Sequence, residues 1–229
     1  MENLIIVGTG TNARHAYEFV KMYNLYNVIG FAVNKEYINE PTFYGLPVYD
    51  LDKLDSEIKV PFKVFVALLW NGLNRDRKKL YEFCKSKGYK FANLISPHSI
   101  IRRSSTFGEN CWIHDFVVIQ NDTIIGDNVA IMAFCLIGGD CKVGSHCFFG
   151  TKSTLAGECR IGNQCFVGIN ATIFDATTIG DKCIIGSCTA VKRNMPSYSK
   201  CITSSTNIVV KQYREEEIEE KLLFRKNVR

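Results

Sequence analysis

The sequence predicts an α/β unit followed by a parallel β-solenoid, and three observations predict it. A bulky apolar residue returns at every sixth position between residues 95 and 191, through seventeen hexads without an insertion, as at Ile95, Ile119, Ile137, Leu155, Ile173 and Val191. The fifth place of the hexads is small, as at Ser99, Cys111, Thr123, Cys141, Ser153 and Ala171, with Met195 the terminal exception. Upstream of the repeat, short apolar runs alternate with helical spacings, the pattern of a small parallel sheet.

In chain order, Asn3–Val7 reads as a strand, residues 8–12 as a glycine turn, and 13–23 as a helix. A second strand is expected at Asn27–Val33, a third at 63–69, and a second helix at 75–87 that ends at Gly88. Pro41, Gly45 and Pro47 mark a loop between the second and third strands. Backbone amides in a glycine turn at a helix N-terminus suit a phosphate or other anion. That makes Gly8, Gly10, Thr11 and Asn12 candidate ligand contacts, although a plain strand-to-helix turn accounts for the same glycines. Loops at the carboxyl ends of parallel strands form the usual crevice, which adds Asn34, Lys35 and Asn71. The turn lacks the third glycine of the dinucleotide fingerprint. Asn34-Lys35-Glu36 also stands where a nicotinamide enzyme places its ribose-binding acid, so that chemistry is disfavoured.

In the solenoid, three hexads make one triangular coil, and successive coils stack at the strand spacing of about 4.8 Å. Nine hexads follow the bulky residue with glycine, among them Gly126, Gly138, Gly144, Gly162 and Gly180, which suits sharp corners. Seven of the ten cysteines occupy the small fifth place, where a thiol acts as a compact hydrophobe, and no C-x-x-C pair occurs. Unpaired thiols in such number point to a reducing compartment. With no basic and apolar leader, and no apolar run near the ~20 residues of a membrane span, the expectation is a cytoplasmic protein without membrane insertion. The formal net charge of +5 is mild and diffuse. It lacks the dense basic stripe of a nucleic-acid binder, and small anionic ligands suit it better.

An α/β unit feeding directly into a hexapeptide solenoid resembles the PglD/NeuD-type sugar acyltransferases over nearly the whole chain. The likeness rests on residues 4–10, Ala13-Arg14, Gly30-Phe31, Gly45-Leu46-Pro47-Val48, residues 77–89, Ala92-Asn93-Leu94-Ile95 and the solenoid itself. It implies a Rossmann-like sugar- or nucleotide-binding domain over 1–94 and a left-handed β-helix over 95–196. A tail with a short charged helix at 215–225 completes the chain over 197–229. It further implies acetyl-CoA as cosubstrate between adjacent solenoids of a homotrimer, and no metal. The implied acceptor is a nucleotide-linked or nonulosonic (sialic-acid-like) sugar of surface-glycan biosynthesis.

An amine or hydroxyl attacking a thioester needs a base, and the developing oxyanion needs a donor. Relatives supply the base as a histidine in the third place of the hexad that begins here at Ile137, followed by an acid. That hexad reads Ile137-Gly138-Gly139-Asp140-Cys141-Lys142, so Gly139 replaces the histidine while Asp140 keeps the acid. Met132 and Phe148 match an asparagine and a second histidine of relatives. Gly157 matches the family's oxyanion amide. The resemblance places Gly168, Asn170 and Gly186 along the pantetheine, and Lys192 and Arg193 at the solenoid exit, where coenzyme A phosphates can be met. The usual closing turn is replaced by Ser204-Ser205-Thr206-Asn207.

Residues eighteen apart stack at one corner, which puts Gly139 between Asn121 and Gly157, and Asp140 between Asp122 and Glu158. Repulsion among three stacked acids favours protonation of one, making Asp140 the leading candidate base. Alternatively, a sugar amine that enters neutral needs no strong base. His146, stacked with Asn128 and Gln164, and His114 are secondary candidates that reach a site only from a neighbouring subunit. Each otherwise reads as a surface histidine at a turn, and His15 and His98 read as structural or solvated. Two other classes compete. One is a non-catalytic solenoid that binds a nucleotide sugar or an active partner, for which the missing histidine speaks. The other is a zinc enzyme of the γ-carbonic-anhydrase kind, which needs three converging histidines where the coils hold two.

Overall fold

The computed structural model describes residues 1–203. The expected tail helix at 215–225 and the closing segment at 204–207 lie outside the described residues. The first domain runs β1 (Asn3–Val7), α1 (Thr11–Tyr23), β2 (Asn27–Val33), β3 (Thr42–Phe43), β4 (Leu46–Asp50), α2 (Leu54–Glu57), β5 (Lys63–Val66) and α3 (Asn71–Ser86). Its sheet has the order β3-β4-β2-β1-β5, parallel except for β3. Successive side chains of a strand point to opposite faces. Leu4 and Ile6 therefore pack on Ala13, Ala16, Phe19 and Val20 of α1, while Ile5 and Val7 meet Leu54, Tyr81 and Cys84 of α2 and α3. Burial on both faces explains why β1 is apolar throughout.

The loop expected around Pro41, Gly45 and Pro47 is instead a hairpin. Tyr44 and Gly45 turn it with φ of 52° and 74°, and β4 adds to the sheet beside β2, pairing Phe31 with Val48. Proline punctuation masked the strand, because Pro47 pairs only with the short edge strand β3. The third expected strand also stops early, at Val66. Residues 72–74 form a left-handed turn, and regular helix begins only after them.

The solenoid consists of two-residue strands in three parallel sheets of six, five and seven strands. Val118 pairs with Leu136, Ile124 with Lys142 and Ala130 with Phe148, each eighteen residues on. First-place and fifth-place side chains fill the axis, from Cys111 and Ile113 to Ile185 and Val191. Burial pushes the Cys111 thiol up to about 11, so this axial cysteine is an inert packing group.

One expectation about the corners is corrected. The left-handed backbone falls at the fourth place, with φ between 55° and 63° from Asn110 to Lys152, and not at the glycines. Those glycines answer to close approach: a Cβ on Gly144 would lie 2.7 Å from the Gly162 carbonyl carbon and 2.8 Å from Asn163 N. The coil also outlasts the sequence period. Met195 bridges Ile179 and Cys201 pairs with Ile185, each sixteen residues on, which closes the last coil beyond Val191.

The three outward faces differ. Leu94, Trp112, Ala130 and Phe148 are covered by the first domain. Thr106, Ile124, Lys142 and Arg160 form a largely polar face. Ile100, Val118, Leu136 and Thr154 form a mostly apolar one, uncovered among the described residues. Gly144→Ala is expected to cost about 1–3 kcal/mol in urea unfolding through overpacking. Gly157→Ala, whose Cβ would meet nothing closer than Asp175 Oδ1 at 3.5 Å, is expected to stay within about 0.5 kcal/mol of wild type.

Candidate functional site

The two domains share one core. Trp112, 1 % exposed, points from the solenoid into the sheet domain, edge-on to Phe65 and Phe19 at centroid distances of 5.6 and 6.1 Å. Beside it, Arg77 of α3 is buried with neutral acceptors only. Its guanidinium donates to Asn128 Oδ1 (2.6 Å), Leu68 O (2.8 Å) and Asn110 O (2.8 Å). Asn110 Oδ1 in turn accepts from Val66 N of β5 at 2.9 Å, so a solenoid corner caps the sheet edge. Burial lowers Arg77 to about 10, which leaves it charged at neutral pH.

Both coil histidines belong to this seam, which corrects their reading as surface residues at turns. His114 stacks on Trp112 at 4.7 Å. Asn128 Nδ2 lies 2.9 Å from His146 Nδ1, and Asn74 Nδ2 donates to the His146 carbonyl at 2.9 Å. Burial pushes each imidazole down to about 4. With Asn128 Oδ1 already accepting from Arg77, its amide donates to Nδ1, which fits a neutral ring. Neither histidine faces the Gly139 corner.

A cavity of about 670 Å³ opens at the carboxyl ends of β1, β2 and β5. Gly8, Gly10, Thr11, Asn12 and Asn34 line it as expected, at the N-terminus of α1. Gly8 has a φ of 125°, which a side chain would strain. Lys35 and Asn71 do not line it: Lys35 turns to solvent, and Asn71 opens α3 at its irregular first turn, where its backbone N–H donates to Leu69 O at 2.7 Å. The sequence reading missed Glu36, Tyr37 and Asn39 on the loop after β2, and Asp76, Lys79 and Leu80 on α3. The α3 trio was legible in principle, since spacings of three and four share a helix face.

The Asp140 corner lies across the solenoid from the seam. Asp122, Asp140 and Glu158 occupy its fourth places with φ of 57° to 60°, and all three side chains are exposed, where solvent weakens their repulsion. The Arg160 guanidinium caps the carbonyls of Asp140, Cys159 and Glu158. Gly157 N–H, the expected oxyanion donor, is already committed to Asp175 Oδ1 at 3.0 Å. Lys192 and Arg193 share this side of the uncovered face. Gly168, Asn170 and Gly186 sit on its other side, so a single chain does not bring the two sets together. Met132 and Phe148 have joined the seam: Phe148 stacks on Phe166 at 5.3 Å and meets Trp70 at 5.3 Å. Among the described residues, no three metal-ligating side chains gather, and no helix is long and apolar enough to cross a membrane.

Residues 104–133 and 122–157 match the bacterial transferase hexapeptide family (six repeats). In structure, the chain is similar to a histidine-to-asparagine variant of perosamine N-acetyltransferase from Caulobacter crescentus in complex with CoA and GDP-perosamine. Identity is 28 %, the TM-score is 0.77, and the match covers 89 % of this chain and 94 % of that one. The acetyltransferase domain of PglB from Neisseria gonorrhoeae, in complex with acetyl coenzyme A, shares the fold at 22 % identity and a TM-score of 0.76, over 87 % of this chain and 95 % of that one. WeeI from Acinetobacter baumannii shares it at 17 % identity and 0.76, over 89 % and 97 %. Comparison with curated proteins finds no match. The chain carries hexapeptide repeats and has the fold of these structures, a left-handed parallel β-helix behind a small α/β domain.

The seam sets a pH dependence. His114 and His146 are held near 4 against an ordinary 6.5, so below 6.5 the unfolded chain binds protons that the folded chain refuses. Stability is therefore expected to fall as pH drops from about 6.5 to about 4. His114→Phe, which keeps the stacked ring, is expected to flatten that slope in urea midpoints measured across the range.

Proposed function

We propose that the protein transfers the acyl group of an acyl-CoA, acetyl-CoA in the first instance, to a nucleotide-linked amino sugar. The observation that carries this reading is the union in one chain of a hexapeptide coil and a nucleotide-sized cavity. That arrangement is shared over 89 % of the chain with a protein crystallised with CoA and GDP-perosamine. Within the cavity, the amides of residues 8–12 and the Lys79 ammonium offer charge and donors to a diphosphate. Glu36 and Asp76 offer acceptors to ribose hydroxyls or base N–H groups.

Gly168, Asn170 and Gly186 on one side of the uncovered face, with Lys192 and Arg193 on the other, contact one coenzyme only when two solenoids lie side by side. The apolar surface supports such association. Phe116 and Phe134, stacked at 5.0 Å, are 53 % and 54 % exposed beside Ile100, Val118 and Leu136. A closed homotrimer satisfies the arrangement for every copy. An amine is the favoured acceptor because its neutral fraction is nucleophilic without a strong base, and no imidazole faces the Asp140 corner.

Thiol release from acetyl-CoA, with mass spectrometry of GDP-perosamine and a panel of other amino and nonulosonic sugars, tests the reading. An N-acetylated sugar is expected, and Lys79→Ala is expected to raise KM for the nucleotide sugar about tenfold, near 1.4 kcal/mol, with little change in kcat. Acetylation of a hydroxyl contradicts the amine assignment. Failure to bind coenzyme leaves the non-catalytic solenoid as the better account.

A further inference from the structure

The Asp140 corner is built differently from the corner beside it. At the Asn128 corner, third-place side chains form an unbroken ladder, each accepting from the third-place amide one coil before. Asp127 accepts from Glu109, Ser145 from Asp127, Asn163 from Ser145, and Asp181 from Asn163. At the Asp140 corner the corresponding places read Asn121, Gly139, Gly157 and Asp175, so two successive coils present no side chain. Neither glycine has a positive φ, and neither is pressed by backbone as Gly144 is. They keep space open. Where a Cβ on Gly157 would stand, the only heavy atoms of the described residues within 4 Å outside its own neighbours are Asp175 Oδ1 at 3.5 Å and Gly139 O at 3.7 Å.

Both flanking atoms are hydrogen-bond acceptors. Gly157 N–H fixes Asp175 Oδ1 at 3.0 Å and leaves Oδ2 uncommitted by that bond. Gly139 O accepts Glu158 N–H at 2.8 Å and keeps a second lone pair. A neutral primary amine brings two N–H donors and one lone pair, so two converging acceptors hold it and leave the lone pair free. A hydroxyl brings one O–H to the same pair. We infer that the bare face of Gly157 seats the acceptor amine and that Asp175 is the catalytic base in place of the absent histidine, an assignment that rests on the acyltransferase reading.

In the step, the amine lone pair attacks the thioester carbonyl carbon, a C–N bond forms, and the π pair moves onto oxygen. The nitrogen, cationic in the adduct, passes one proton to the Asp175 carboxylate. Collapse of the oxyanion breaks the C–S bond, and the departing coenzyme thiolate takes up that proton, restoring the carboxylate. Amine and thioester become amide and thiol with no further reactant.

Asp175→Asn retains an oxygen for Gly157 N–H and preserves the corner, while Asp181→Asn makes the same change in the structural ladder. With acetyl-CoA and the amino-sugar nucleotide that the wild type acetylates, Asp175→Asn is expected to lower kcat about 100-fold or more. KM for acetyl-CoA and Tm are expected to hold, and the acidic limb of the kcat–pH profile to vanish. Gly157→Ala, which fills the seat, is expected to raise KM for the amine while Tm holds, and Asp181→Asn to leave the pH profile in place. If the wild type turns over and Asp175→Asn keeps its pH profile and a kcat within about threefold, the seat is wrong and the acyltransferase reading stands. If the wild type acetylates no amine, that reading falls and the inference with it.

Discussion

Everything in the second half of the chain depends on one constraint, the parallel pairing of each two-residue strand with the strand eighteen residues on. Two residues make a poor strand alone, so each is held by neighbours above and below. That demand sets the composition of the interior, because every coil must offer the same bulky and small positions to the axis. The thiols at Cys135, Cys141, Cys147, Cys159 and Cys165 follow from this packing rather than from redox or metal chemistry. The same constraint sets the corners, where coils approach so closely that Gly138 and Gly144 have no room for a Cβ.

Stacking turns a sequence repeat into columns, and columns carry the functional surfaces. One column, Asn110, Asn128 and His146, is spent on gripping α3 through Arg77 and Asn74. The grip reaches the ligand cavity, since Asp76 and Lys79 lie on the helix that Arg77 anchors. Arg77 is bonded to a side-chain amide and two carbonyls, so its charge is met by dipoles of Asn110 and Asn128 in the solenoid and of Leu68 in its own domain. Cavity and coil thus share α3, which lines the first and is bonded to the second.

Much of this was legible in advance. The period and the small fifth place located the coil, short apolar runs located β1 and β2, and helical spacing located α1. The hairpin of β3 and β4 was not legible, because Pro41 and Pro47 are turn signals whatever the neighbouring strand supplies. The cavity was half legible. Residues 8–12 announce themselves by glycine and position, whereas Glu36, Tyr37, Asp76 and Lys79 are ordinary surface residues until the sheet brings two loops and a helix together. His114 and His146 were misread for a related reason: a corner histidine is solvated on a bare solenoid, and only the docking of the first domain covers these two.

The sequence by itself determined the coil, its register and the corner places of Gly139 and Gly157, since a six-residue period admits one inward set and the register follows from it. Tertiary structure alone decided what surrounds those glycines. Gly157 N–H and Asp175 are eighteen residues apart and become bonded only because coils stack. Likewise, Trp112 becomes core only because a second domain lies across it. Local pattern sets which way a side chain points, but the partner it finds depends on segments distant in sequence, brought near by burial that no single segment achieves alone.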